Sequence, residues 1–414
     1  MPWKATNKEE QRYELVQQIR SGVAPISELC RGFRISRQTA YRWYGRFRAK
    51  RLAGLKDRSH RPARVFGRTS RLWLDRLRRL RIERPTWGGR KLRHRLGQRF
   101  GRADVPAVAT LSRWLKRWGL ASGPRRRKPG PVVIHRAVRA ARYCNQVWTV
   151  DFKGWYRTGD GRRVDPLTVR DLHSRYGLRI GLLSSQSIAP TRREFVRIFR
   201  QHGLPERIRC DNGAPFGGGG PTGLTRLSAW WVKLGIEVDY MTPGRPCENG
   251  AHEQFHRVYK LEVARHPAKS LAGQQRRSTE WLRDYNHERP HEALGMKVPA
   301  QYYVRSPRRL PRKITPWLYA GNWERRRVKG NGEISWQGRR RFIGEAFGQD
   351  NVGLKPVRVG VWKVFFGPVL VGELHEGESG GIRLAKYLHN KLIGLVGSVT
   401  ARFARLHAAH QTKV

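Results

Sequence analysis

Three acidic side chains stand where they could act together. Asp211 ends the run Arg207-Ile208-Arg209-Cys210 and is followed by Asn212-Gly213. Glu253 closes Pro246-Cys247-Glu248-Asn249-Gly250-Ala251-His252-Glu253, in which Asn249-Gly250 opens a helix. Asp151 lies inside the apolar stretch Val147-Trp148-Thr149-Val150-Asp151-Phe152. Asp211 and Glu253 each stand near a glycine-containing turn, and a glycine after Asp211 frees the backbone to bring a carboxylate beside a bulky partner. Carboxylates on separate elements of an α/β unit, in a strongly basic chain, point to metal-assisted attack on a nucleic-acid phosphodiester.

The elements that must position these groups sit in a chain of 414 residues, enough for roughly three domains. Its 85 Lys and Arg against 31 Asp and Glu leave a formal charge of +54. Repulsion on that scale calls for a polyanionic partner, of which nucleic acid is the commonest. Most of the positive charge is arginine, which grips phosphate with two bonds and stacks on bases. No apolar run of about 18 residues and no signal peptide stands out, so an anionic membrane is the weaker partner. The four cysteines, Cys30, Cys144, Cys210 and Cys247, are far apart and form no Cys-x-x-Cys pair. That excludes a zinc ribbon or disulfide framework and fits reduced thiols in the cytoplasm, here associated with the nucleoid.

Residues 1–54 read as an all-α helix-turn-helix domain. Leu15 and Ile19 mark a first helix, Ile26, Leu29 and Cys30 a second, Gly32 a turn, and Ser36 the N-cap of a third. The third helix buries Ala40, Trp43 and Phe47 and turns Arg37, Gln38, Tyr41, Arg42 and Arg46 outward, the side expected in the major groove. A basic linker at 55–70 leads to a second helical domain, 71–122, organised by Trp73, Leu77, Leu80, Leu92, Leu96, Leu111, Trp114, Leu115 and Trp118. That domain is either a second helix-turn-helix or a structural bundle. The linker at 123–143 carries Arg125, Arg126, Arg127 and Lys128, which are expected to lie on DNA phosphates.

From residue 144 strands alternate with helices. Strands are expected at 146–156, 163–171 and 175–183 as an antiparallel meander, followed by a helix at 191–202 and a short strand at 207–210. A helix bearing Leu224, Leu227, Trp231 and Leu234, a strand at 236–240, and a helix from Asn249 complete the pattern. Three antiparallel strands followed by β-α-β units is the order of an RNase H-like fold. Beyond 320, short strands suggest a small β-barrel at 320–380, with a basic tail at 381–414.

Residues 144–305 resemble the catalytic core of retroviral integrases and bacterial insertion-sequence transposases, the DDE polynucleotidyl transferases. The resemblance rests on Trp148-Thr149-Val150-Asp151, Asp171-Leu172-His173-Ser174-Arg175, Cys210-Asp211-Asn212-Gly213, the Pro246–Glu253 run, and Tyr285-Asn286-His287-Glu288-Arg289-Pro290-His291, in that order. It implies that Asp151, Asp211 and Glu253 are the catalytic carboxylates and hold two divalent ions, Mg²⁺ or Mn²⁺. It further implies cleavage of transposon-end double-stranded DNA, strand transfer into target DNA, and a homodimer or higher multimer pairing two ends. The 42 residues from Asp211 to Glu253 exceed the family's usual spacing, and the Gly217–Gly220 loop accounts for the excess.

Asp171 is read as structural, and Glu248 as pointing off the face that carries Glu253. His252-Glu253-Gln254-Phe255-His256 also spells the H-E-x-x-H pattern of zinc peptidases, which leaves both Asp211-Asn212-Gly213 and the charge unexplained. His252 and His256 are expected instead to face DNA or the helix bundle. The remaining alternative is a catalytically decayed or domesticated DNA-binding protein that keeps the fold.

Overall fold

The computed structural model describes residues 7–57, 69–102, 104–121, 140–220, 222–242 and 250–385. Most of the 55–70 linker, Arg125, Arg126, Arg127, Lys128, Cys247, Glu248, Asn249 and the tail from 386 lie outside the described residues. The chain forms two compact units, Met1–Thr69 and Ser70–Val414.

The first unit contains α1 (Lys8–Ser21), α2 (Ile26–Gly32) and α3 (Arg37–Lys50), closed by a 3₁₀ turn at Arg51–Leu55. Leu15, Leu29, Cys30 and Ala40 form one part of its core, and Val16, Trp43, Phe47 and Leu55 the other. Ser36 caps α3 as expected, accepting the Thr39 backbone N–H at 3.2 Å. Arg37, Gln38, Tyr41 and Arg42 are exposed. Arg46 is only half-buried: its guanidinium lies 4.3 Å over the Trp43 ring and donates to the Lys56 carbonyl, bracing the closing turn.

The second unit begins with α4 (Arg71–Glu83), α5 (Gly89–Phe100) and α6 (Val108–Arg117), packed around Leu77, Leu80, Trp87, Leu92, Leu96, Leu111 and Leu115. The strands and helices that follow are β1 (Val147–Phe152), β2 (Tyr156–Arg157), β3 (Arg163–Asp171), β4 (Gly177–Leu183), α7 (Ile188–His202), β5 (Arg207–Cys210), α8 (Arg226–Lys233) and β6 (Glu237–Tyr240). Helices α9 (Gly250–Tyr259) and α10 (Leu271–His287) complete the core. β3 pairs antiparallel with both β1 and β4, while β1, β5 and β6 are parallel neighbours. The single strand expected at 146–156 is broken, because Gly154 takes a φ of +84° and separates β1 from β2.

Trp148, Val150, Leu167, Val169, Ile208 and Cys210 bury one face of the sheet against Phe195, Ile198 and Phe199 of α7 and Leu227 and Trp231 of α8. On the other face Ile180 packs with Phe255, Tyr259, Leu282 and Tyr285. Trp231 is fully buried among Phe195 and Phe216. Trp231→Ala is expected to cost about 3–5 kcal/mol of stability, read as an earlier urea midpoint at unchanged slope. A loss under about 1 kcal/mol would contradict this packing.

The helical bundle is fastened to the core by charge. Arg84 pairs with Asp284, Arg95 with Glu288, and Arg90 with Glu292 at 2.8 Å. At the centre, Glu262 accepts from the Thr86 hydroxyl, the Trp281 indole N–H and, at 3.2 Å, from buried Arg289. Most of the Tyr285–His291 motif serves this fastening and the packing beneath it. Asn286, for example, bonds both backbone groups of Gly177.

The expected C-terminal barrel is not what forms. The strands are β7 (Glu324–Arg327), β8 (Glu333–Trp336), β9 (Arg339–Phe342), β10 (Asn351–Arg358), β11 (Val361–Phe366), β12 (Val369–His375) and β13 (Arg383–Leu384). Among the described residues they make an open sheet in the order β13-β12-β11-β10-β7, plus a separate β8-β9 ribbon. The sheet need not close on itself to bury its apolar residues. Leu224, Ala229 and Val232, at and just before α8, pack into a core with Val352, Val364, Phe366 and Val371. Lys233 pairs with Asp350 beside that contact.

Candidate active site

Strand alternation decides which way the acids point. On β1, Trp148 and Val150 enter the α7–α8 core, so Thr149 and Asp151 turn to the opposite face. The Thr149 hydroxyl confirms the direction, meeting His252 Nδ1 of α9 at 2.9 Å. On β5, Ile208 and Cys210 enter the same core, which turns Arg209 to the opposite face, and Asp211 follows one residue past the strand. The parallel register pairs Val147 with Arg207, Trp148 with Ile208 and Thr149 with Arg209. The pairing ends there, two residues before Asp151 on β1 and Asp211 after β5.

Glu253 is exposed, on the stripe of α9 next to buried His252 and His256. His256 follows it by three residues, so their Cβ atoms are about 5–6 Å apart. His256 Nδ1 in turn lies 3.8 Å from Asp151 Oδ2. Asp151 and Glu253 are thus linked through His256 of α9, and Asp211 follows the strand parallel to β1. Among the described residues no group of three His, Cys, Asp or Glu side chains is gathered closely enough to hold a metal by itself. The oxygen donors of Asp151, Asp211 and Glu253 nonetheless suit a hard divalent cation.

The electrostatics match that use. Surrounding protein atoms desolvate the Asp211 carboxyl and push its pKa up, opposed by the Gly213 backbone N–H. Lys153, two residues past Asp151, is held below the ordinary lysine range by burial and by the charge of Lys260, against the pull of Asp151. Two ammonium groups close to an acidic site make a setting for a phosphodiester.

Beneath the site runs a buried polar network. The Thr168 hydroxyl donates to the Asp151 carbonyl at 2.9 Å and meets both His252 Nε2 and His256 Nε2, at 2.6 and 2.7 Å. His252 and His256 thus face the sheet, correcting the expectation that they face DNA or the helix bundle. Burial pushes both imidazoles down, His252 well below its usual value and His256 to about 3. Both ring nitrogens of His252 are engaged by threonine hydroxyls, which removes one of the two nitrogens a zinc-peptidase reading requires.

Arg170, also buried, donates to the Ala251 carbonyl in the first turn of α9 and lies 4.8 Å over the Phe255 ring. It anchors the start of the helix that carries Glu253. Asp171 accepts from the backbone N–H groups of Asn145 and Ser174 and from the Ser174 hydroxyl, the structural task expected of it. Sequence reasoning missed Thr149, Lys153, Thr168 and Arg170. Alternation along β1 could have placed Thr149 with Asp151, but nothing local links Thr168 to helix α9.

Comparison with known proteins gives the class. Residues 234–299 match the family model of the integrase core domain, and 324–375 that of the IS481 family transposase C-terminal domain. Residues 11–63 match a helix-turn-helix domain and 39–115 a homeodomain-like domain. An uncharacterized 39.2 kDa protein of insertion element IS476 from Xanthomonas euvesicatoria is 30% identical over 258 residues, which is 62% of this chain and 71% of the relative. An uncharacterized 31.7 kDa protein of insertion element IS407 from Burkholderia multivorans is 29% identical over 55% of this chain and 79% of the relative. The HTLV-2 integrase catalytic core domain solved with magnesium is 15% identical, with a TM-score of 0.32, covering 39% of this chain and 99% of that one. The chain belongs to the bacterial insertion-sequence transposases with an integrase-type catalytic core and helix-turn-helix DNA-binding domains.

Proposed function

We propose that this transposase cleaves the ends of its element and joins them to target DNA at a site formed by Asp151, Asp211 and Glu253. The observation that supports the proposal is Asp151 on the α9 side of β1, 3.8 Å from His256 of the helix that carries Glu253, with Asp211 directly after the parallel neighbour β5. Two divalent ions, Mg²⁺ or Mn²⁺, held by the three carboxylates would stabilise charge on the attacking and leaving oxygens. The chain's own groups do the rest. Asp151 and Asp211 would hold those ions against the sheet, and Lys153 offsets the negative charge of the reacting phosphate. Arg170 and the Thr168 network keep α9, and with it Glu253, in place. Arg37, Gln38, Tyr41 and Arg42 at the start of α3 read the terminal DNA, with Arg46 bracing that helix. Arg125, Arg126, Arg127 and Lys128 add phosphate contacts. Pairing two ends requires a homodimer or larger assembly.

A supercoiled-plasmid nicking assay tests the reading: the purified full chain nicks DNA with Mg²⁺ and stops when EDTA removes it. Binding without nicking at any Mg²⁺ or Mn²⁺ concentration would favour the decayed, DNA-binding alternative. Binding itself is expected to be steeply salt-dependent. With about 6–10 phosphate contacts, affinity falls roughly 10³–10⁵-fold between about 50 and 200 mM salt. A flat salt profile in an electrophoretic or anisotropy titration would count against electrostatic docking.

A further inference from the structure

Between β1 and β2 the strand carries one residue too many. Phe152 pairs with Leu167 of β3 and Tyr156 with Val164, so four steps on one side answer three on the other. The Lys153 N–H still reaches the Pro166 carbonyl at 3.0 Å, which confines the extra residue to Gly154-Trp155. Bulges of this kind are over-represented beside active sites, where they re-aim a side chain. The side chain re-aimed here is Trp155. It is 56% exposed, while every other described tryptophan is buried or half-buried.

The ring is braced by charge. The guanidiniums of Arg157 and Arg163 lie 5.9 and 5.1 Å from its centroid. Each is tethered in turn, Arg157 donating to the Gly161 carbonyl at 2.7 Å and Arg163 to buried Asp165 at 3.0 Å. An exposed indole set among arginines is the arrangement on which a nucleobase stacks, with cations at hand for its phosphates. A second copy of this chain docking by the same patch is disfavoured, because arginines would meet arginines around the ring. Trp155 follows Asp151 by four residues, so their Cα atoms lie within about 14 Å. That is the length of about four stacked nucleotides.

We infer that Trp155 is a stacking platform for an unpaired nucleobase a few nucleotides from the phosphate that enters the carboxylate site. The inference rests on that site as proposed above and adds to it a subsite that holds the separated strand. Every base has a π-face, so the platform accepts any sequence.

The test is a thermodynamic cycle on the full chain without metal, using a forked duplex with oligothymidine arms and the same fork with abasic arms. In anisotropy titrations the wild type should bind the thymine fork roughly 5- to 150-fold more tightly than the abasic one. Trp155→Ala should lose most of that preference, and Trp155→Phe should keep most of it. A wild type indifferent to the bases, or a Trp155→Ala chain that still prefers them, overturns the platform. A drop in molar mass by light scattering in Trp155→Ala, with base preference intact, overturns it in favour of a subunit contact. Base preference in a chain that never nicks DNA with Mg²⁺ would overturn the catalytic reading and leave the stacking in place. The wild-type comparison alone can overturn the inference should the variants not fold.

Discussion

Asp211→Ala is expected to lower cleavage and joining by on the order of 10²–10³-fold or more, the loss seen when a group that stabilises transition-state charge is removed. Asp151→Ala should do the same. Duplex affinity should change by less than about twofold, because it is carried by basic contacts elsewhere. The distinction is physical: Asp211 is an exposed residue just past β5, so its loss should leave the sheet folded. Single-turnover cleavage and anisotropy titration on the same preparation separate the two quantities. Wild-type cleavage by Asp211→Ala would remove Asp211 from the site. Equal loss of binding and cleavage would mean that the residue holds DNA without taking part in the reaction.

Glu262→Ala should produce the largest loss of stability away from the core. Glu262 is the acceptor for Thr86, Trp281 and Arg289, and Arg289 is 5% exposed. Removing the carboxylate leaves that guanidinium buried without its ion-pair partner, which costs about 3–5 kcal/mol. The contact joins the α4–α6 bundle to α10 and the turn after α9, so the bundle should become protease-sensitive before the sheet melts. A lowered midpoint in thermal unfolding, with early cleavage within residues 70–121, is the expected outcome. Unchanged proteolysis would show that Arg84–Asp284 and Arg95–Glu288 suffice to hold the bundle. Exposed pairs of the Arg90–Glu292 kind, by contrast, contribute at most about 1 kcal/mol.

Local chemistry made much of this chain legible. Ser36 announced the start of α3, the apolar runs announced β1, β3, β4 and β5, and the alternation of Trp148 and Val150 was enough to orient Asp151. What escaped the sequence depends on contacts between distant segments. Thr168 gains its meaning only when α9 folds back over β3 and brings two histidines to a single hydroxyl. Arg84, Arg90 and Arg95 of the 71–122 domain are spent on Asp284, Glu292 and Glu288, in and after α10, which no local pattern links to them. The C-terminal strands carried the pattern of a barrel because alternation alone cannot distinguish a sheet that closes from one that is covered. Only the apolar back of α8 explains which of these occurred.

That doubly buried helix has a practical consequence for anyone dissecting the protein. A polypeptide spanning residues 144–305 alone would leave Ala229 and Val232 uncovered, along with Leu224 beside them. It would also lack Leu310 and Ile314, which pack against the main core. Poor solubility of such a fragment would then report a missing wall of its own interior and would say nothing about whether the catalytic face had formed.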